Sequence, residues 1–164
     1  MNLVNNGIIQ IPKPVNEPIY DYAPGSAERQ QLENALKATA ANSLEIPLII
    51  GGQEVTTGEL GHVVMPHDHK HILATYHKAG VKEVQSAIDA AVAAQKQWHA
   101  MRWEERCAIF LKAAELLSKK YRFIINAGSM LSTSKNAFQA EIDAACELID
   151  FLRFNVYFAE QIYR

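Results

Sequence analysis

The sequence predicts a mainly α chain of the α+β class, in which a small β-hairpin layer interrupts an otherwise helical succession. Three observations carry this expectation. Residues 46–76 hold the β-rich pieces, grouped around the pair Gly51-Gly52. From Val81 onward, apolar residues recur at three- and four-residue spacing. A chain of 164 residues that is 49% hydrophobic has the length and apolar content for one globular domain with a buried core.

In chain order, residues 1–25 carry Pro12, Pro14, Pro18 and Pro24. Each proline fixes φ and removes a backbone donor, so the segment reads as an extended arm that needs a surface to lie on, one not assured within this chain. Residues 26–43 read as a short amphipathic helix: Ser26 supplies the N-cap, Leu32, Ala35, Leu36 and Ala40 keep helical spacing, and Asn42-Ser43 ends it. Residues 44–77 form the β region. Gly51-Gly52 suits a tight two-residue hairpin turn, and GHVVMPHDHKHILATY continues as strand broken near Pro66.

Residues 78–164 are read as helical. Val84, Ala87, Ile88, Ala91, Ala94 and Trp98 make one stripe, with Lys82, Glu83, Gln85 and Asp89 largely opposite. A helix from about Trp103 to Lys120 is expected to turn Ile109, Phe110, Ala113, Leu116 and Leu117 inward. A short run, Arg122 to Leu131, ends in the hydroxyl cluster Ser132-Thr133-Ser134, and a long helix without proline or glycine extends from about Asn136 to Tyr163. Such helices need one another to bury their stripes.

Composition narrows the function classes. The net charge of −2 offers no basic field for a nucleic-acid backbone or an anionic membrane. No apolar run approaches the roughly 18 residues of a membrane span, and the first residues lack the leader of a secreted protein, so the expected location is cytoplasmic. Cys107 and Cys146 lack CxxC spacing and read as reduced, packed thiols.

Candidate chemistry is sparse. His67, His69 and His71 alternate in HDHKH, a pattern that could turn imidazoles to one face of a strand for a metal; a polar turn explains it as well. Cys146 has the carboxylate of Glu147 beside it and no histidine within a helical turn, which raises a thiol's pKa rather than lowering it. Glu147 and Asp150 are neighbours on one helix face, with Glu141 and Asp143 one to two turns earlier; by themselves they read as a solvated acidic face. Lys135 and the Ser132–Ser134 hydroxyls read as caps of the long helix. Neither a GxGxxG nor a GxxxxGK[ST] motif occurs.

The order of the pieces, GGQEV, VVMPHDHKHILATYH, SAIDAAVAAQKQWHAM, ERCAIFLKAAELLSKK and then the acidic helix, resembles the amino-terminal region of the aldehyde dehydrogenase superfamily. Within it, IPKPVNEPIYDYAPGSAERQQLENAL and QAEIDAACELIDFLRFNVYFAE resemble the Δ1-pyrroline-5-carboxylate dehydrogenases, or L-glutamate γ-semialdehyde dehydrogenases. The resemblance implies the N-terminal portion of that fold, without its Rossmann-like core or catalytic domain. It also implies an NAD-dependent enzyme that oxidises glutamate semialdehyde to glutamate in proline breakdown, a homo-oligomer when complete.

The family's nucleophilic cysteine lies in a glycine-glutamine-lysine-cysteine context, its general base is a glutamate before paired glycines, and its oxyanion-hole asparagine precedes a proline. None of these motifs is in residues 1–164. No catalytic or cofactor-binding residue is therefore assigned here, and no turnover and no NAD binding are expected of this segment alone. One role carries over: the glutamate of the stretch matched by AACELIDF lines the aldehyde pocket near the substrate's amino group, which makes Glu147 the substrate-binding residue. STSKN stands where the family commonly has a glycine-rich turn, keeping Lys135. The rival reading is a free-standing helical protein-interaction module, for which Phe151, Phe154 and Phe158 would form the docking stripe.

Overall fold

The computed structural model describes residues 9–163, so residues 1–8 of the expected arm and Arg164 lie outside the described residues. Residues 9–25 run extended, and the surface they need is within the chain itself, a correction to the sequence-based expectation. Glu17 and Tyr22 are each only 7% exposed. The reason is hydrogen-bond demand. An extended segment outside a sheet has no ladder to satisfy its N–H groups, and here helix carboxylates take them. Ile11 N–H donates to Glu160 at 3.2 Å, Glu17 N–H to Asp150 at 2.7 Å, and Tyr20 N–H to Glu141 at 2.9 Å.

Helix α1 spans Ala27–Ala41. Ser26 Oγ accepts from Arg29 N–H at 3.3 Å at its start, and Asn42 Nδ2 donates to the Ala38 carbonyl at 2.8 Å at its end. Five strands come next: β1 Leu44–Ile46, β2 Leu48–Ile50, β3 Gln53–Val55, β4 Leu60–Met65 and β5 Asp68–His77. They form two sheets rather than one layer. β2 and β3 make an antiparallel hairpin over Gly51 and Gly52, at φ 58° and 79°, where a side chain would be strained. β5 is the middle strand of the other sheet, parallel to β1 and antiparallel to β4. Pro47 stands between β1 and β2; it cannot donate to a ladder, and the chain changes sheet there.

Helix α2 spans Val81–Ala100 and contributes no buried residue. Its Val84, Ala87, Ile88 and Ala91 line a groove against Leu48, Ile49 and Ile50, while Val81, Val92 and Trp98 face solvent. Helix α3, Trp103–Leu116, passes through a π-helical turn, Leu117–Tyr121, into α4, Arg122–Thr133. The inner side of α3 differs from the expectation: Cys107 and Ala114 are buried, whereas Ile109 and Phe110 are 50% and 43% exposed. The small Ala114 lets α3 approach the last helix closely, and the larger side chains are displaced to the rim.

Ser134 adopts left-handed backbone at φ 57° and ends α4. Its neighbours do not cap the next helix, another correction: Ser132 and Thr133 hydroxyls donate back to the Gly128 and Ser129 carbonyls at 2.7 and 2.6 Å. Asn136 caps instead, in a reciprocal pair with Gln139 at 2.9 and 3.0 Å. The expected long helix is helical throughout but not uniform. A short α5, Ala137–Ala140, widens into a π-helical segment, Glu141–Cys146, before α6, Glu147–Tyr163. The core lies between α3 and α6: Ala114, Ala145 and Ile149 at its centre, with Leu117, Ile125 and Leu152 around them. Among the described residues no helix is long and apolar enough to cross a membrane.

Candidate functional site

The π-helical segment sorts the acidic residues of the last helix. A π turn inserts an extra residue and rotates the succeeding turns about the helix axis, so acids that sequence spacing puts on one solvated face are separated. Glu141 is fully buried, which overturns its reading as a surface acid. Its carboxylate accepts from Arg122 Nη2, from Tyr22 Oη at 2.6 Å, from Asn126 Nδ2 at 2.7 Å and from the Tyr20 N–H.

Arg122 is the centre of this cluster. It is 1% exposed and lies between Glu141 and Glu17, whose Oε1 it reaches at 2.5 Å. It also donates to the Pro18 carbonyl at 2.5 Å and stacks 3.9 Å from the Tyr20 ring centre. Glu17 in turn accepts from Ser118 Oγ at 2.6 Å and from Arg153 at 2.5 Å. Two guanidinium groups thus face two carboxylates, so the arm is clamped to both π-helical turns by a charge-balanced network.

Burial would raise the pKa of Glu17 and of Glu141. For Glu17 the hydrogen bonds from Ser118 and Arg153, and for Glu141 those from Arg122 and Tyr22, outweigh it and hold both carboxyls below 4.5. The consequence for stability has a definite sign. Well above pH 4.5 both groups are ionised whether folded or unfolded, and the stabilisation is complete. Below it the unfolded chain binds protons first, so stability is lost as pH falls through the folded-state values. Urea midpoints measured between pH 7 and pH 3 should therefore decline steeply below pH 4.5. The decline should flatten in a Glu141→Gln variant.

Both cysteines are buried and free. The acid that touches Cys146 is Glu141, with its Oε1 3.7 Å from Sγ, and not the adjacent Glu147. Burial first and the Glu141 charge second push the Cys146 thiol up to about 11, despite Arg122 Nη2 at 3.4 Å. Burial also raises Cys107. Neither provides a thiolate nucleophile near neutral pH.

The histidines are distributed differently from the pattern HDHKH. His67 falls in the turn before β5, and only His69 and His71 are on the strand. His71 Nε2 pairs with the Ala40 carbonyl at 2.8 Å, tying β5 to α1. Among the described residues no group of three His, Cys, Asp or Glu is placed to hold a metal.

The remaining acids separate by their partners. Asp143 pairs with Lys135 at 2.6 Å. Asp150 receives Glu17 N–H on Oδ1 and Asn16 Nδ2 on Oδ2, both at 2.7 Å. Glu147 begins α6, is exposed, and has no hydrogen-bond or ion-pair partner among the described residues. It lines a groove of about 340 Å³ with Asn16, Asp150, Phe151 and Phe154. An unengaged carboxylate beside aromatic walls is suited to a ligand that carries both a cation and an apolar chain. Sequence reasoning singled out Glu147 but not Glu17, Arg122, Arg153 or the arm's share of the groove, because no local pattern marks partners more than 100 positions apart.

The model of the aldehyde dehydrogenase family matches residues 54–164. The chain is 47% identical over 155 residues to the Δ1-pyrroline-5-carboxylate dehydrogenase of Agaricus bisporus, a match that covers 94% of this chain and 28% of the relative. It is 42% identical over 154 residues to the mitochondrial enzyme of that name from Dictyostelium discoideum, again covering 94% of this chain and 28% of the relative. The chain thus spans a little over a quarter of the length of these curated relatives. Among solved structures, the Δ-pyrroline-5-carboxylate dehydrogenase of Mycobacterium tuberculosis bound with NAD is similar, with a TM-score of 0.93 and 46% identity over 96% of this chain and 30% of that one. The 1-pyrroline-5-carboxylate dehydrogenase of Thermus thermophilus, seen as its R100A mutant, is also similar, with a TM-score of 0.86 and 30% identity over 93% of this chain and 29% of that one.

Proposed function

Because the chain belongs to the aldehyde dehydrogenase family, we propose that it forms the amino-terminal part of an NAD-dependent enzyme that oxidises glutamate semialdehyde to glutamate in proline breakdown. Glu147 is its contact to the substrate's ammonium group. The observation that carries this reading is the state of the acidic run. Glu141, Asp143 and Asp150 each accept hydrogen bonds within the chain, whereas Glu147 faces a groove with no donor to its carboxylate among the described residues. A carboxylate there forms a charge-assisted hydrogen bond with an amino-acid semialdehyde and has nothing comparable to offer a plain aldehyde.

The described residues do not fit the cofactor. The positive-φ glycines sit in turns at Gly25, Gly51, Gly52 and Gly58, and the sequence lacks a glycine-rich phosphate turn. No step through NAD is assigned to them. Without an activated nucleophile or an oxyanion donor, residues 1–164 supply none of the acyl-transfer chemistry, and the segment by itself is inactive. Assembly of the complete protein as a homo-oligomer is part of the same reading. Val81, Val92 and Trp98 leave apolar surface of α2 in solvent, which supports such assembly.

The test is Glu147→Gln in the complete enzyme. The value of kcat/KM for glutamate semialdehyde should fall roughly 10- to 100-fold, the worth of a hydrogen bond to a charged group. Turnover of an uncharged aldehyde should stay unchanged. Equal losses for both substrates, or none for either, would rule out the assignment of Glu147.

A further inference from the structure

The Glu147 groove has a wall that comes from the other end of the chain. Asn16 belongs to the extended arm, yet it lines the same groove as Glu147, Phe151 and Phe154. Its amide is held in place: Nδ2 donates to Asp150 Oδ2, and the N–H of Glu17 donates to Asp150 Oδ1, each at 2.7 Å. Glu17 is itself anchored by Arg122 and Arg153. The arm therefore cannot move away from the groove without breaking a buried ionic network.

The pairing divides the two neighbouring acids by task. Asp150, three residues beyond Glu147 and on the same side of the helix, accepts from the arm on both oxygens and is occupied. With its NH₂ committed to Asp150, the Asn16 amide has its carbonyl oxygen left to offer, and that atom only accepts. An ammonium group carries three N–H donors, more than a single carboxylate satisfies.

We infer that Asn16 is a specificity-determining residue of this groove, its amide oxygen accepting a second N–H of the ammonium that Glu147 receives. The inference rests on the proposed role of Glu147. A neutral acceptor suits the place: it binds the ammonium without adding a further negative charge to the carboxylates of Glu147 and Asp150 that already line the groove. Asp150 is the positioning residue that orients the amide. The arm then serves selectivity as well as folding.

The complete enzyme is prepared with Asn16→Ala and, separately, with Asn16→Leu, which keeps side-chain bulk but has no acceptor. Each is assayed with glutamate semialdehyde and with pentanal, an uncharged aldehyde of the same carbon count, and its thermal midpoint is measured. The expected result is a KM for the semialdehyde raised roughly ten-fold in both variants. The kcat should stay within about two-fold and both parameters for pentanal should be unchanged, because the amino group binds alike in ground and transition state. Equal changes for both aldehydes, or none for either, alongside a Glu147→Gln enzyme that has lost selectivity, overturn the role of Asn16 alone. A Glu147→Gln enzyme that keeps its selectivity overturns the underlying reading as well.

Discussion

Replacing Arg122 by alanine is expected to destabilise the folded chain by about 3–5 kcal/mol, the effect of removing one partner from a buried ion pair. Arg122 is almost entirely enclosed, and its removal leaves Glu141 with no ion-pair partner among the described residues and Glu17 with Arg153 as its remaining guanidinium. It also empties the space between the Tyr20 ring and the Pro18 carbonyl. Against a total stability of roughly 5–15 kcal/mol for a domain of ordinary size, the loss is a large fraction.

The charge, more than the volume, should govern the outcome. Arg122→Met restores most of the volume yet strands Glu141 in the same way, so it should remain strongly destabilising. Adding Glu141→Gln to Arg122→Met removes the charge that has lost its cation, while Glu17 keeps Arg153, and should recover much of the loss. Urea unfolding of the three proteins decides the matter. An Arg122→Ala midpoint close to that of the parent would show that the cluster does not clamp the arm.

The second large effect is expected in the apolar core. Ile149 is fully buried between Ala114 and Ala145, with Leu117, Ile125 and Leu152 around it. Ile149→Ala should cost about 2–5 kcal/mol, the transfer of the lost methyl and methylene groups plus a cavity that small neighbours cannot fill. Phe151, two positions on, is 62% exposed. In the 164-residue chain Phe151→Ala should change stability by no more than about 0.5 kcal/mol, although the residue is larger. Similar losses in the two variants would mean that α6 does not turn Ile149 inward and Phe151 outward.

Phe151 also bears on the interaction-module reading. Phe151 and Phe158 are exposed, and Phe154 leans on Phe158 at a ring separation of 6.4 Å. Part of this stripe, Phe151 and Phe154, is the wall of the Glu147 groove.

The features legible in the sequence were local. Ser26 at the start of α1, Asn42 at its end and the paired glycines between β2 and β3 act within a few residues, through a cap or a positive φ, and their physics is complete in the short segment. The break at Pro66 and the helical period after Val81 are of the same kind. The resemblance to a dehydrogenase family was also legible, because it rests on the order of such segments.

Tertiary structure decided the questions that depend on partners. Glu141 and Glu147 are chemically alike and six positions apart, and neither spacing nor propensity distinguishes them. One is buried against Arg122 and Tyr22 at the start of the π-helical segment, and the other follows that segment and is left facing a groove. The same holds for α3, where the apolar side facing α6 is set by the small Ala114 and not by the largest hydrophobic residues. Burial of a charge is favourable only when opposite charges and donors arrive from elsewhere in the chain. The sequence by itself therefore determined the elements, while which acid is buried in an ion pair and which stays exposed in a groove was decided only when the arm closed on the helices.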